Sequence, residues 1–338
     1  MKGLLIFTQA VDDQDDNLGF FVGWIRRFAE NGRPIYVACW RWNKAMPLPS
    51  NVRVFEMPKG KINRFFGLIA LSWKIRNDVQ TVFVHMIALV VVACGWLWKL
   101  LGLPVFLWYT HGSVPWELRV AEKFVDKILT ATEESMRLAT PKKIVTGHGI
   151  ALDAYCPQSV QRESLLITVG RISPSKNQRA FVQLCARLRY RHPDLPFRAK
   201  IVGDTRLVTD RTYDKTLRED IVHAKLQDVV ERVPSLLGVD LMRLYSQAAL
   251  FVSTSHTGSL DKVVLEALAC ETPVFALDEA FRRIPTIRMA SEPWSDIVVD
   301  EVARILQHPS ASPEAREGVI RTVDLTALIK RIESILYA

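Results

Sequence analysis

The segment Ser253 to Val274, STSHTGSLDKVVLEALACETPV, closes an apolar run with small and polar residues and then opens a helix near Asp261. A helix start of this kind turns backbone N–H groups, and the positive end of the helix dipole, toward an anion. Gly258, Ser259, Leu260, Asp261, Lys262 and Val263 lie at that start, and Glu266 follows one to two turns in, within reach of a ligand hydroxyl. The same spacing suits a capped crossover helix with a solvated Glu. A second segment, VGRISPSKN from Val169 to Asn177, carries Gly170, Arg171 and Lys176. A planar Arg fork and a Lys point charge on one loop suit two adjacent phosphates, because both neutralise charge that grows on a departing diphosphate. Surface solvation is the plainer use of an isolated Arg and Lys.

Three further loops carry residues of interest. Ile201-Val202-Gly203-Asp204 ends an apolar run, Tyr109-Thr110-His111-Gly112 ends another, and Thr8 to Phe20 brings Gly19 after the acidic stretch Asp12 to Asp16. A His at a strand end points toward a ligand cleft in a doubly wound sheet. Asp13-Gln14-Asp15 matches a loose metal motif, but it follows the first strand rather than a later one, and we expect a polar loop with no metal there.

The elements that must position these loops are legible as a repeating pattern. Short apolar runs (Leu4–Phe7, Ile35–Cys39, Val52–Phe55, Thr81–Val84, Val105–Trp108, Lys127–Leu129, Ile144–Val145) alternate with helix-period segments at Gly19–Glu30, Lys61–Arg76, Ala88–Leu101, Pro115–Phe124 and Glu133–Leu138. Such alternation predicts a parallel sheet covered by helices on both faces. The pattern restarts after Ala154–Ser164: strands at Leu165–Val169, Phe197–Val202, Val229–Val233, Leu250–Val252 and Val274–Ala276, with helices at Gln178–Arg191, Lys215–Lys225, Leu241–Gln247 and Lys262–Cys270. Helices at Ser295–Gln307, Pro313–Thr322 and Leu325–Leu336 complete the chain. The expectation is an α/β protein of two Rossmann-like doubly wound domains facing across a cleft, at 1–156 and 157–322, with a helix at 323–338 returning to the first domain.

In order, these segments resemble the retaining glycosyltransferases of the GT-B type in the large fourth family (glycosyl transferases group 1). There a Glu, seven residues and a second Glu precede an Ala-rich helix and a Gly-Thr-Pro-Val strand. Glu266 matches the second Glu and Thr272-Pro273-Val274 the strand, while Gly258 stands at the first Glu and Glu271 replaces the Gly. The resemblance implies that Arg171 and Lys176 hold the donor diphosphate. Glu266 would hold the ribose, Gly19, Gly170 and Gly203 would let backbone approach the donor, and His111 would sit near the reacting sugar. Gly147-His148-Gly149-Ile150 matches a motif that shapes the cleft. It further implies a nucleotide sugar donor (UDP or GDP), a glycan or polyprenyl-linked acceptor, retention of configuration, and no cofactor or metal. Two alternatives stand beside this: a silent nucleotide-sugar-binding subunit, which the departure at Gly258 permits, and a nucleotide-sugar epimerase of the same fold, a class that tends to be less basic and to lack an interfacial stretch.

Composition bounds the remainder. With 338 residues, 49% hydrophobic and 24% charged, the chain is globular and long enough for two cores. Five dispersed cysteines suggest a reducing compartment, and the start is too short and acidic for a signal peptide. The net charge of +8 divides into +6 over 1–157 and +2 over 158–338. Lys59 to Arg76, KGKINRFFGLIALSWKIR, mixes Lys59, Lys61 and Arg64 with Phe65, Phe66 and Trp73. That composition suits an anionic bilayer interface, or a crossover helix that buries its aromatics in its own sheet. No apolar run reaches the ~18 residues of a membrane span. We therefore expect a cytoplasmic protein, peripheral on the inner face of the cell membrane, with no nucleic-acid partner because no binding motif accompanies the charge.

Overall fold

The computed structural model describes residues 2–338 except Asp16, Asn17, Asp153, Arg206 and Ser259, together with all but the side chain of Thr322. It divides into two compact units, Met1–Ala151 with Leu325–Ala338, and Leu152–Asp324.

The first unit is built on β1 (Gly3–Val11), β2 (Ile35–Trp42), β3 (Val52–Glu56), β4 (Val79–His85), β5 (Val105–Trp108), β6 (Lys127–Thr130) and β7 (Lys143–Val145). These pair in parallel in the order β3-β2-β1-β4-β5-β6-β7. Helices cover both faces of such a sheet, so its central strands read as unbroken apolar runs, and β1 is buried at eight of its nine positions. The covering helices are α1 (Phe20–Ala29), α2 (Lys61–Lys74), α3 (Ala88–Leu100) and α4 (Trp116–Ala121). The last helix, α11 (Leu325–Leu336), packs on α1 through Leu325, Leu328, Ile329, Ile332 and Leu336, an i, i+3, i+4 stripe.

The second unit repeats the plan with β8 (Glu163–Val169), β9 (Arg198–Val202), β10 (Val230–Val233), β11 (Ala248–Ser253), β12 (Val274–Ala276) and β13 (Ile287–Met289). Their order is β10-β9-β8-β11-β12-β13, again all parallel. Its helices are α5 (Gln178–Arg191), α6 (Val208–His223), α7 (Gly238–Gln247), α8 (Lys262–Ala269), α9 (Asp296–Gln307) and α10 (Pro313–Val323). In each sheet the strand order reverses beside the first strand, between β1 and β4 and between β8 and β11. Doubly wound folds bind ligands outside the carboxyl ends of that pair.

One expected element does not form. Glu133–Leu138 is turn and irregular chain. The Thr132 backbone N–H donates to Ser135 Oγ at 2.9 Å, and the Ser135 N–H donates to Thr132 Oγ1 at 3.1 Å. These hydroxyls offer the backbone partners that a helix would otherwise supply, which is why Ser and Thr compete with helical geometry.

Candidate active site

Two loops meet at the switch point of the second unit. The first leaves β8 through Gly170, passes Arg171, makes a tight turn over Pro174–Lys176 and enters α5 through Asn177 in the left-handed region. Gly203, at the end of β9, lies so close beneath it that a Cβ there would stand 2.0 Å from the Gly170 carbonyl oxygen. Only glycine permits that approach. The second loop leaves β11 and opens α8. Thr254 Oγ1 donates to the Lys176 carbonyl at 2.8 Å, and the His256 N–H donates to the Ser175 carbonyl at 3.5 Å. Asn177 Nδ2 (2.5 Å) and His256 Nε2 (3.1 Å) share Glu292 Oε1. The two loops therefore behave as one stitched wall.

The charges of the site sit on this wall. Lys176 Nζ lies 2.5 Å from Asp261 Oδ1, the residue that opens α8. Arg171 Nε is buried without a hydrogen-bond partner among the described residues, 3.9 Å from the Asp210 carboxylate. Asp210 is itself anchored, because its Oδ2 accepts from the Leu207 N–H at 3.0 Å. Glu266, on α8, is buried and accepts from Tyr245 Oη at 3.2 Å, with the Tyr155 hydroxyl as a second partner. Burial pushes the Glu266 carboxyl above the usual carboxylate range, and the two phenols oppose that rise. Burial pushes the Lys262 ammonium, one turn earlier, well below the usual lysine range, while the charges of Glu266 and Asp261 act to raise it.

Gly258 adopts φ +68°, and its N–H donates to Asp278 Oδ2 at 2.8 Å. Asp278 is buried at the end of β12 and also accepts from the Ala280 N–H at 3.0 Å. Burial lifts its carboxyl, and these two amides hold the rise down. The structure thus brings together Gly170, Arg171, Lys176, Gly203, Gly258, Leu260 and Asp261 on strand-end loops, and Lys262, Val263 and Glu266 on α8, all within one unit. Ser259 lies outside the described residues. Tyr155, Tyr245, Asp210 and Asp278 join the site without having been singled out in the sequence. Of these, Asp278 alone carried a local signal, its position directly after an apolar strand.

The remaining candidates belong to the first unit. Gly19 closes a tight turn in which its N–H donates to the Asp15 carbonyl at 2.7 Å, and a Cβ would collide with the Asp13 and Asp15 carbonyls. His111 follows β5 and is exposed, with Nδ1 2.8 Å from Ser113 Oγ and accepting from the Ser113 N–H at 3.1 Å. The histidine at the switch pair itself is His85, at the end of β4. It is buried and stacked on Phe21 with ring centroids 3.9 Å apart. His148 is buried beside Phe20, Trp24 and Trp108. On α2, Lys61 and Phe66 are exposed, as is Lys59 before it; Trp73 is exposed with the Arg76 guanidinium over its ring; Phe65 is half-buried; and Arg64 lies over Trp40. Among the described residues no group of three or more His, Cys, Asp or Glu is disposed to hold a metal ion, and no helix is long and apolar enough to cross a membrane. All five cysteines are free thiols.

Comparison with known proteins adds three findings. Residues 157–284 match the family model of glycosyl transferases group 1. A D-inositol 3-phosphate glycosyltransferase of Pseudarthrobacter chlorophenolicus is 34% identical over 111 residues, 33% of this chain and 26% of the relative, so the chain spans about a quarter of that protein's length. Solved structures match throughout: Anabaena Alr3699/HepE in complex with UDP and glucose at TM-score 0.78 and 15% identity, covering 99% of each chain, and sucrose-phosphate synthase from Thermosynechococcus elongatus at 0.78 and 14%, covering 99% and 98%.

Proposed function

We propose that the protein, whose residues 157–284 match the family model of glycosyl transferases group 1 and whose fold is shared by solved structures along its length, is a retaining hexosyltransferase. It moves a sugar from a UDP or GDP sugar to an acceptor hydroxyl. The observation that carries this is the stitched wall at the β8/β11 switch point, where Arg171, Lys176 and the opening turn of α8 converge. A solved neighbour of the same fold holds UDP and glucose, which supports a nucleotide sugar as donor.

In this mechanism Arg171, Lys176 and the N–H groups at the start of α8 stabilise the charge that develops on the leaving diphosphate. The departing phosphate oxygen takes the proton from the attacking hydroxyl on the same face, so neither a carboxylate base nor a metal is required. Glu266 holds the nucleotide ribose, and the phenols of Tyr155 and Tyr245 fix its carboxylate. His111 contacts the transferred sugar. Gly258 offers no side chain where the signature it resembles has its first Glu, so in this proposal the sugar is read by other groups.

The acceptor in this proposal is a polyprenyl-linked or cell-envelope glycan, with the protein peripheral on the inner face of the membrane. Ile62, Phe66 and Trp73 on α2 are 72%, 61% and 53% exposed, and Leu89, Trp96 and Leu100 on the neighbouring α3 are 52%, 47% and 74% exposed. Each set repeats with helical spacing, and neither helix contains an acid. Between residues 57 and 116 six cations stand against Asp78 alone. Exposed apolar stripes among cations are the composition of an anionic interface.

The test is release of nucleotide from a panel of UDP and GDP sugars by wild type, Lys176→Ala and Glu266→Ala. Turnover that both substitutions abolish supports the transferase. Binding without turnover in the wild type would instead support a silent partner subunit, a reading that Gly258 favours.

A further inference from the structure

Asp261 occupies the cap position of α8, where an Asp side chain ordinarily accepts a hydrogen bond from the second or third N–H of the helix. Here it makes no cap bond: the carboxylate turns away and lies 2.5 Å from Lys176 Nζ instead. The pair is largely enclosed, with side-chain exposures of 23% for Lys176 and 12% for Asp261. An anion beside a lysine, at the start of a helix, occupies the kind of place a phosphate would take. The Lys176 backbone is anchored, because its carbonyl accepts from Thr254 Oγ1.

We propose that the Asp261 carboxylate is an internal counter-anion that holds Lys176 in the unliganded protein and must release it for the donor diphosphate to bind. The proposal rests on the donor-binding role of Lys176. Two anions cannot share one ammonium at hydrogen-bonding distance without strong mutual repulsion. Nucleotide diphosphate therefore competes with a tethered carboxylate, which weakens its binding and hastens its departure as product. Asp261 then acts on donor affinity through Lys176, not by touching the donor sugar. The charge of Asp261 also reaches Lys262, which it acts to keep protonated, so its displacement changes the balance of the whole wall.

The experiment is calorimetric titration of UDP and of GDP into wild type, Asp261→Asn, Lys176→Ala and the double variant, with thermal unfolding of each to verify the fold. Asparagine keeps the shape and removes the charge. The expected result is that Asp261→Asn binds the preferred nucleotide roughly fivefold more tightly, that Lys176→Ala binds it more weakly, and that the gain vanishes when both are changed. A purely structural salt bridge would not produce a gain in affinity. If Lys176→Ala weakens binding while Asp261→Asn leaves it unchanged or weakens it too, the counter-anion is wrong and the donor site stands. Should Lys176→Ala leave nucleotide affinity intact, both fall.

Discussion

The two units share one strand plan yet fill its switch point differently. Between β1 and β4 the space is taken by rings: Phe21 stacked on His85, with Phe20, Trp24, Trp108 and His148 around them. Between β8 and β11 it is lined by Arg171, Lys176, Asp261, Lys262 and Glu266. The same strand order around the switch point with opposite chemistry indicates that fold alone supplies a place for a ligand, and side chains decide whether that place attracts charge. The exteriors differ as well. The arginines of α5 face carboxylates, as in Arg179 with Asp220, Arg189 with Asp228 and Arg191 with Asp300, whereas α2 and α3 leave their cations among exposed apolar groups.

The largest test of this contrast removes a charge from one switch point. Lys176→Ala should lower kcat/KM for the donor by about 10²–10³-fold, the scale of losing one preorganised charge stabiliser, while His111→Ala lowers kcat with UDP affinity unchanged. Equal losses of UDP affinity in both variants would erase the division of labour. Next comes the wall that holds the charges. Gly203→Ala drives a Cβ into the Gly170 carbonyl at a φ of +144°, and should cost more than ~2 kcal/mol in urea unfolding. An unchanged midpoint would mean that the loops are not tightly joined.

The exterior contrast predicts a smaller, separable effect. Changing Ile62, Phe66 and Trp73 together to Ser should reduce sedimentation with anionic liposomes at low salt at least ~tenfold, and leave the unfolding midpoint in place because all three are exposed. Wild-type protein that stays in the supernatant at every salt concentration would remove the membrane role. The smallest effect concerns acid stability. Arg191 holds the Asp300 carboxyl down to about 2, so its stabilising contribution is present above the ordinary carboxylate range and is lost as pH falls through about 2. Asp300→Asn should therefore lose a little stability at neutral pH and approach wild type below pH 2, measured by thermal unfolding across pH.

Much of the fold was legible because buried parallel strands announce themselves as continuous apolar runs, and because α5, α9 and α11 carry clean helical stripes. The miss at Glu133–Leu138 came from a local competition between Thr132, Ser135 and the backbone that helical periodicity does not register. Strand β13 was invisible for a different reason: it is three residues long with two of them exposed, so no pattern can develop. At the site, the loops bearing Arg171, Lys176 and Glu266 could be read from strand ends and a helix start. Their partners could not. Tyr245 meets Glu266 only because α7 and α8 are neighbours, and Lys176 meets Asp261 across 85 positions of chain.

The return of α11 to the first unit has a bearing on how the protein is made. Residues 1–151 emerge from the ribosome with the apolar flank of α1 bare, and they stay so until the entire second unit has followed. Gly149 is shaped for that late arrival, since a Cβ there would press on the backbone of Leu325 at 2.9 Å. Completion of the first core is thereby deferred until residues 325–336 have been made, and a nascent chain arrested after residue 324 would present a hydrophobic strip to chaperones.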